Sequence, residues 1–196
     1  ARLGVIMMLA LWQRFVSAPK RAAGWAPDFT PRVTALVPAY KEEVVIIRTV
    51  RSLLRQDYPA LDIIVIDDGS PDRTADVVAA TFADEPRVML LRKSNGGKSS
   101  ALNVGFARAT GEIIVAVDAD TVIAPQAIRA LVQPMQDPRV GAVAGNAKVG
   151  NRVNLVTRLQ AIEYVTSQNL DRRAFELLNG ITVVPGAIGA WRRAPR

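Results

Sequence analysis

From residue 33 onward, short apolar runs alternate with stretches whose apolar residues recur every three or four positions. Val33–Val37 is a short run ended by Pro38. Over Glu42–Gln56 the residues Val45, Ile46, Val50, Leu53 and Leu54 fall on one face of a helix. Leu61–Ile66 predicts a buried strand, and Asp72 to about Phe82 a helix. Val88–Leu91 predicts a third strand, followed by a helix over Lys98–Ala109 that Thr110-Gly111 closes. Glu112–Val117 predicts a fourth strand. Pro125–Met135 predicts a helix that begins on proline, whose fixed φ suits a first turn. Val140–Ala144 predicts a further strand, Val153 to about Leu178 a long helix, and Ile181–Val184 a last strand. Strands alternating with helices predict an α/β fold built on a mostly parallel central sheet. In such sheets ligands bind beyond the carboxyl ends of the strands. The polar, glycine-rich and acidic segments do follow strands: Pro38–Glu42, Asp67–Ser70, Asn95–Lys98 and Asp118–Asp120.

The ends read differently. Leu3–Trp12 is apolar but far shorter than the ~20 residues that cross a bilayer. A buried helix, an interfacial segment and the end of a membrane helix all fit it. Arg14, Lys20, Arg21 and Arg32 follow closely, and positive charge beside an apolar run marks the cytoplasmic side of a membrane helix. Trp12 and Trp25 suit a membrane interface. The expectation is therefore a membrane or interfacial helix ending near residue 16, a Pro- and Ala-rich basic linker over 17–31, and a domain from 32 to 196. Both ends read as boundaries of a piece of a longer chain.

Composition narrows the chemistry. Among 196 residues there is neither cysteine nor histidine. Disulfides, thiolate zinc sites, cysteine nucleophiles and Ser-His-Asp triads are thereby excluded. A metal would need oxygen ligands, which favours Mg2+ or Mn2+. The formal charge of +7 suits an anionic partner. Basic residues are not interleaved with aromatics and no zinc-finger spacing occurs, so nucleic acid is not expected.

Three segments carry candidate chemistry, and each has a plain structural alternative. Asp118-Ala119-Asp120 ends an apolar strand. Residues two apart in extended chain point the same way, so both carboxylates can bear on one divalent ion. The alternative is a turn and helix cap. Asp67-Asp68-Gly69-Ser70 can offer a carboxylate to a base or ribose edge, or simply form a tight turn. Asn95-Gly96-Gly97-Lys98-Ser99 resembles the end of a phosphate-binding loop. That motif requires glycine five positions before Gly97, where Arg92 stands. Lys98 can still bring positive charge to a phosphate at a helix start.

Taken in order, these segments resemble family-two inverting glycosyltransferases of the GT-A fold. Val37-Pro38-Ala39-Tyr40-Lys41-Glu42-Glu43 is similar to the family's P-x-Y-N-E opening, with Lys41 in place of asparagine. Ile66–Ser70 resembles its D-D-G-S segment. Asn95–Lys98 with Ala101-Leu102-Asn103 resembles its G-G-K-x-x-A-L-N segment, and Val117–Thr121 its metal-binding D-A-D. Gly145–Arg152 and Pro185–Arg193 are similar to processive synthases, above all those of poly-N-acetylglucosamine, chitin and hyaluronan. The resemblance implies a Rossmann-like nucleotide-sugar fold, C-terminally incomplete here, in which Pro38, Ala39, Tyr40 and Glu42 frame uracil and ribose. It places Asp68 on the nucleoside, Lys98 near the donor, Asp118 on the nucleotide sugar, Asp118 and Asp120 on the metal, and Gly186 and Ala187 near the acceptor. It implies a UDP-sugar donor, UDP-N-acetylglucosamine first, and a polysaccharide or other glycan acceptor. It also implies a cell-membrane enzyme with its catalytic domain in the cytoplasm. The family's catalytic base, an Asp in a T-E-D or E-D segment, is expected beyond residue 196, so this chain is expected to bind donor with little or no turnover.

Two other classes compete. Asp118-Ala119-Asp120-Thr121-Val122 resembles the signature of aspartyl phosphatases and phosphotransferases, but in that family the motif follows the first strand. A non-catalytic basic module on a membrane surface would use the charge and ignore Asp118. Nucleotidyltransferases open on a glycine-rich, arginine-containing loop, which Pro38-Ala39-Tyr40 does not match.

Overall fold

A computed structural model describes residues 28–146 and 187–193, with Met8, Trp12 and Ala26 besides. The chain divides into two units, 27–145 with 185–196, and 1–26 with 146–184. Every element below belongs to the first. The expected helix over Val153–Leu178, the strand Ile181–Val184, most of Leu3–Trp12 and most of the linker lie outside the described residues. Among the described residues no helix is long and apolar enough to cross a membrane.

The elements run β1 Val33–Ala39, α1 Ile46–Leu54, β2 Leu61–Asp67, α2 Thr74–Thr81, β3 Val88–Arg92 and α3 Lys98–Arg108. They continue with β4 Ile113–Val117, α4 Ala127–Val132 running into a 3-10 turn Gln133–Gln136, β5 Ala142–Ala144 and β6 Ile188–Arg192. One sheet holds all six strands in the order β3-β2-β1-β4-β6-β5. The first four are parallel. β6 runs antiparallel to both β4 and β5.

The inner strands are buried on both faces, as continuous apolar runs require of a parallel sheet covered on both sides. Val33, Ala35, Val37, Ile63, Val65, Ile113 and Val115 share a core with Ile46, Val50 and Leu53 of α1, Val78 of α2 and Ile128 and Leu131 of α4. The alternate residues Leu36, Ile64, Ile66 and Ile114 pack instead with Ala101 of α3 and with Ala109 just after it. This division follows from the handedness of the crossovers. From β1 to β2 to β3 the chain steps outward in one direction, and right-handed connections keep α1 and α2 on one face. From β3 to β4 it steps back past β2 and β1, so α3 falls on the other face. Gly105 allows α3 to lie close, since a Cβ there would come 2.9 Å from Ile66 Cδ1.

Pro38 does not end β1, which runs on to Ala39. Pairing of β1 with β4 stops at Leu36, so Pro38 has a ladder on its β2 side alone. A residue without an N–H is tolerated where pairing is one-sided. α1 starts at Ile46, four residues after the expected start; Glu42 stands before it with its N–H donated to Thr74 Oγ1 at 2.8 Å and its carbonyl accepting the Ile46 N–H at 2.9 Å. β6 has no counterpart among the strands expected from the apolar pattern.

Candidate active site

The direction of the sheet reverses between β1 and β4, whose onward connections leave in opposite directions. Such a switch point opens a crevice at the carboxyl ends of the two strands. Here it is a cleft of about 250 Å³, lined by Pro38, Ala39, Tyr40, Glu42, Asp68, Lys98, Asp118, Ala119 and Asp120. Seven expected donor-site residues and the expected metal pair thus meet in one place. Ala187 lies beside them through its carbonyl, which accepts the Asp118 N–H at 3.1 Å. Gly186 lies outside the described residues.

The wall after β1 turns sharply at Lys41, whose φ of 60° is the one positive value at a non-glycine residue among those described. The turn is held from the loop after β2: the Lys41 N–H donates to Ser70 Oγ at 3.1 Å. It leaves Tyr40 43% exposed at the mouth, with the Lys41 ammonium 5.3 Å from its ring centre.

Asp68 is 3% exposed, and its carboxylate is committed to the protein. It accepts the Gly96 N–H at 3.1 Å, the Gly97 N–H at 2.7 Å and the Lys93 ammonium. Its own carbonyl accepts from Asn95 Nδ2 at 3.1 Å. Burial would raise its pKa, but the Lys93 ammonium and the Gly96 and Gly97 amides outweigh that and hold it below the usual carboxylate value. Asp68 thus folds the Asn95–Gly97 loop over the end of β2 and sets the start of α3, from which Lys98 reaches the cleft. Gly69, with φ of 70°, is needed there, since a Cβ would come 2.6 Å from the Asn95 nitrogen. Lys93 escapes a reading of the sequence because nothing in its neighbours marks it as the partner of a residue 25 positions back.

The Lys98 ammonium pairs with Asp118 Oδ1. Glu42 faces the same carboxylates: burial first, then the charges of Asp120, Asp72 and Asp118, push its pKa above the usual value. The cleft therefore holds more negative charge than its one lysine offsets. Among the described residues no three acidic side chains are grouped closely enough to hold a metal ion by themselves. Asp118 and Asp120 can supply two oxygens to a hard cation, and a ligand such as a diphosphate would supply others. The negative charge that Asp118 and Asp120 bring beside Glu42 fits the arrival of a cation.

Behind this wall stands a second group that the apolar pattern concealed. Thr49 Oγ1 donates to the Ala119 carbonyl at 2.6 Å. Ser52 Oγ accepts the Ile123 N–H at 3.2 Å, and Gln56 donates to the Ala124 carbonyl at 2.8 Å and accepts the Ile128 N–H at 3.1 Å. Thr49 and Ser52, three apart, fall on one edge of α1 beside its apolar face, and Gln56 follows two residues past its end.

Comparison with known proteins agrees with this geometry. A poly-beta-1,6-N-acetyl-D-glucosamine synthase of Staphylococcus epidermidis is 29% identical over 163 residues, which cover 83% of this chain and 40% of that protein. A probable glycosyltransferase of Bacillus subtilis, YdaM, is 37% identical over 97% of this chain and 48% of its own length. The chain thus spans less than half of these relatives. Among solved structures, the mannosyltransferase PcManGT from Pyrobaculum calidifontis, in complex with GDP-Man and Mn2+, superposes with a TM-score of 0.73 at 26% identity, over 98% of this chain and 56% of that one. The sequence profile described as Glycosyl transferase family 2 matches residues 34–195, from the first residues of β1 past the end of β6. With the strand order, the switch-point cleft and the four motifs all in place, the chain belongs to glycosyltransferase family 2.

Proposed function

We propose that this chain forms the donor-binding part of a metal-assisted, inverting glycosyltransferase that takes a UDP-sugar, UDP-N-acetylglucosamine first, and passes the sugar to a growing polysaccharide or another glycan. The observation that carries the reading is the convergence of Tyr40, Glu42, Lys98, Asp118 and Asp120 on one cleft at the switch point. The synthase named above, similar over most of this chain, favours N-acetylglucosamine as the sugar. The aspartyl-phosphatase reading has no such support: Asp118 follows the fourth strand and is paired with Lys98.

In this reading Tyr40 offers an aromatic face to the base, and Pro38 and Ala39 form the floor beneath it. Asp68 acts through the Asn95–Gly97 loop and so aims Lys98. Asp118 and Asp120 hold Mg2+ or Mn2+ against the donor's diphosphate, which supplies charge stabilisation as UDP leaves. Lys98 adds a second positive charge on the same side. In the same reading Gly186 and Ala187 serve the acceptor, whose hydroxyl must lose its proton to a base that none of these residues provides. Membrane attachment through the apolar Leu3–Trp12 run, with the catalytic domain in the cytoplasm, belongs to the same proposal.

The test is calorimetric titration of UDP, with GDP as comparator, into the protein with and without Mn2+, and into Asp120→Asn. Metal-dependent binding of UDP that the variant loses is the expected result. Binding that ignores the metal and the substitution would refute the site, and a preference for GDP would refute the choice of nucleotide.

A further inference from the structure

Thr49 is 1% exposed, and its hydroxyl reaches across 70 residues of sequence to the Ala119 carbonyl. Ala119 is the residue between the two cleft carboxylates. Asp118 to Thr121 form a turn closed by the Thr121 N–H on the Asp118 carbonyl at 3.0 Å. Neither central residue has positive φ, which is the type I arrangement. The type II arrangement of the same four residues differs by a half-rotation of the Ala119–Asp120 peptide and needs positive φ at Asp120. Aspartate tolerates that region better than most residues. The local sequence therefore discriminates weakly between the two, and a contact from outside the turn decides.

Thr49 makes that contact. A rotated peptide would carry the Ala119 carbonyl away and leave the threonine hydroxyl buried without its acceptor. In the arrangement present, the Asp120 N–H points the opposite way from that carbonyl, as a trans peptide requires, and donates to no group among the described residues.

We propose that Thr49 is a positioning residue for the Asp118–Asp120 pair: by locking the peptide between them it keeps both carboxylates directed at one divalent ion and the donor diphosphate. This rests on the metal-assisted reading of the cleft. Its test compares Thr49→Val, which keeps the shape and loses the hydroxyl, with Thr49→Ser, which restores it. Thr34→Val serves as the control. Thr34 is equally buried and accepts the Gly111 N–H at 2.9 Å, at the start of β1 and the opposite end of the strand from the cleft.

The apparent dissociation constant for Mn2+ is read from UDP titrations over a range of Mn2+ concentrations, at a temperature where circular dichroism shows every variant folded. Thr49→Val is expected to raise that constant about tenfold, the equivalent of one buried hydrogen bond. Thr49→Ser is expected to stay within about twofold of wild type, and Thr34→Val to lose thermal stability with the Mn2+ constant unmoved. If Thr49→Val does not fold, Thr49→Ala takes its place. An unchanged Mn2+ constant in the Thr49 variants, while Asp120→Asn still abolishes binding, would sink this proposal and spare the cleft. Equal shifts in the Thr49 and Thr34 variants would reduce Thr49 to a stability role. Wild-type protein that binds UDP without regard to Mn2+ would overturn both readings together.

Discussion

Asp68 and Glu42 line the same cleft with opposite pH signatures. The Asp68 pKa is held below its ordinary value, so its contribution to stability is complete above about pH 4 and is lost as pH falls through the depressed value. Asp68→Asn leaves the partly buried Lys93 without its counter-charge and should cost about 2 kcal/mol in a urea melt at pH 7. That difference from wild type should shrink as the melt is repeated at lower pH. The Glu42 pKa is raised, so its charge opposes folding, and stability falls as pH rises from the ordinary glutamate value through the raised one. Glu42→Gln should therefore stabilise the protein at pH 7 by a few tenths of a kcal/mol after solvent screening, a gain that vanishes near pH 4, while weakening Mn2+-dependent UDP binding. Gly69→Ala combines positive φ with a Cβ 2.6 Å from a backbone nitrogen. It should cost roughly 2 kcal/mol or more, visible as a lowered melting temperature.

Element by element, α1 shows what periodicity reveals and what it hides. Its apolar face, Ile46, Val50 and Leu53, was legible because a stripe recurring at the helical repeat fits a helix and neither a strand nor a loop. The adjoining Thr49 and Ser52, with Gln56 just past the helix end, were not. A polar residue beside an apolar stripe reads as facing solvent, and only the fold brings the 119–128 segment against it. Gln56→Ala should free that segment, at a cost of about 1–2 kcal/mol, measurable by denaturant melt. β6 was illegible for a different reason. Its sequence Ile-Gly-Ala-Trp-Arg is poor in strand-forming residues, and its pairing partner β4 ends at residue 117. The helix starts lie later than expected for a third reason: apolar spacing marks a helix's face and not its first residue, and the residues around the starts of α1 and α2 are tied to each other, Glu42 N–H to Thr74 and Arg73 N–H to Glu43 at 2.9 Å.

For the molecule as a whole, the order of four motifs was the legible part, because each follows a strand and the parallel sheet gathers strand ends on one edge. Their meeting across the β1–β4 switch point depends on the handed path from β3 back to β4, which no single motif encodes. Ligand linkage tests the site globally. UDP with Mn2+ at a hundredfold excess over its dissociation constant should raise the melting temperature by about 5–10 °C, and Asp120→Asn should abolish the rise. The position of β6 has a consequence for the chain as it is made. Four parallel strands have left the ribosome once residue 117 is out, yet β4, paired with β1 on one side, gains its second neighbour only with residues 188–192. For roughly 70 residues of elongation, about 4–14 s, Ile113–Val117 presents a bare apolar edge. A ribosome that stalls in this interval holds a nascent chain whose open hydrogen-bonding edge is free to pair with another unfinished copy.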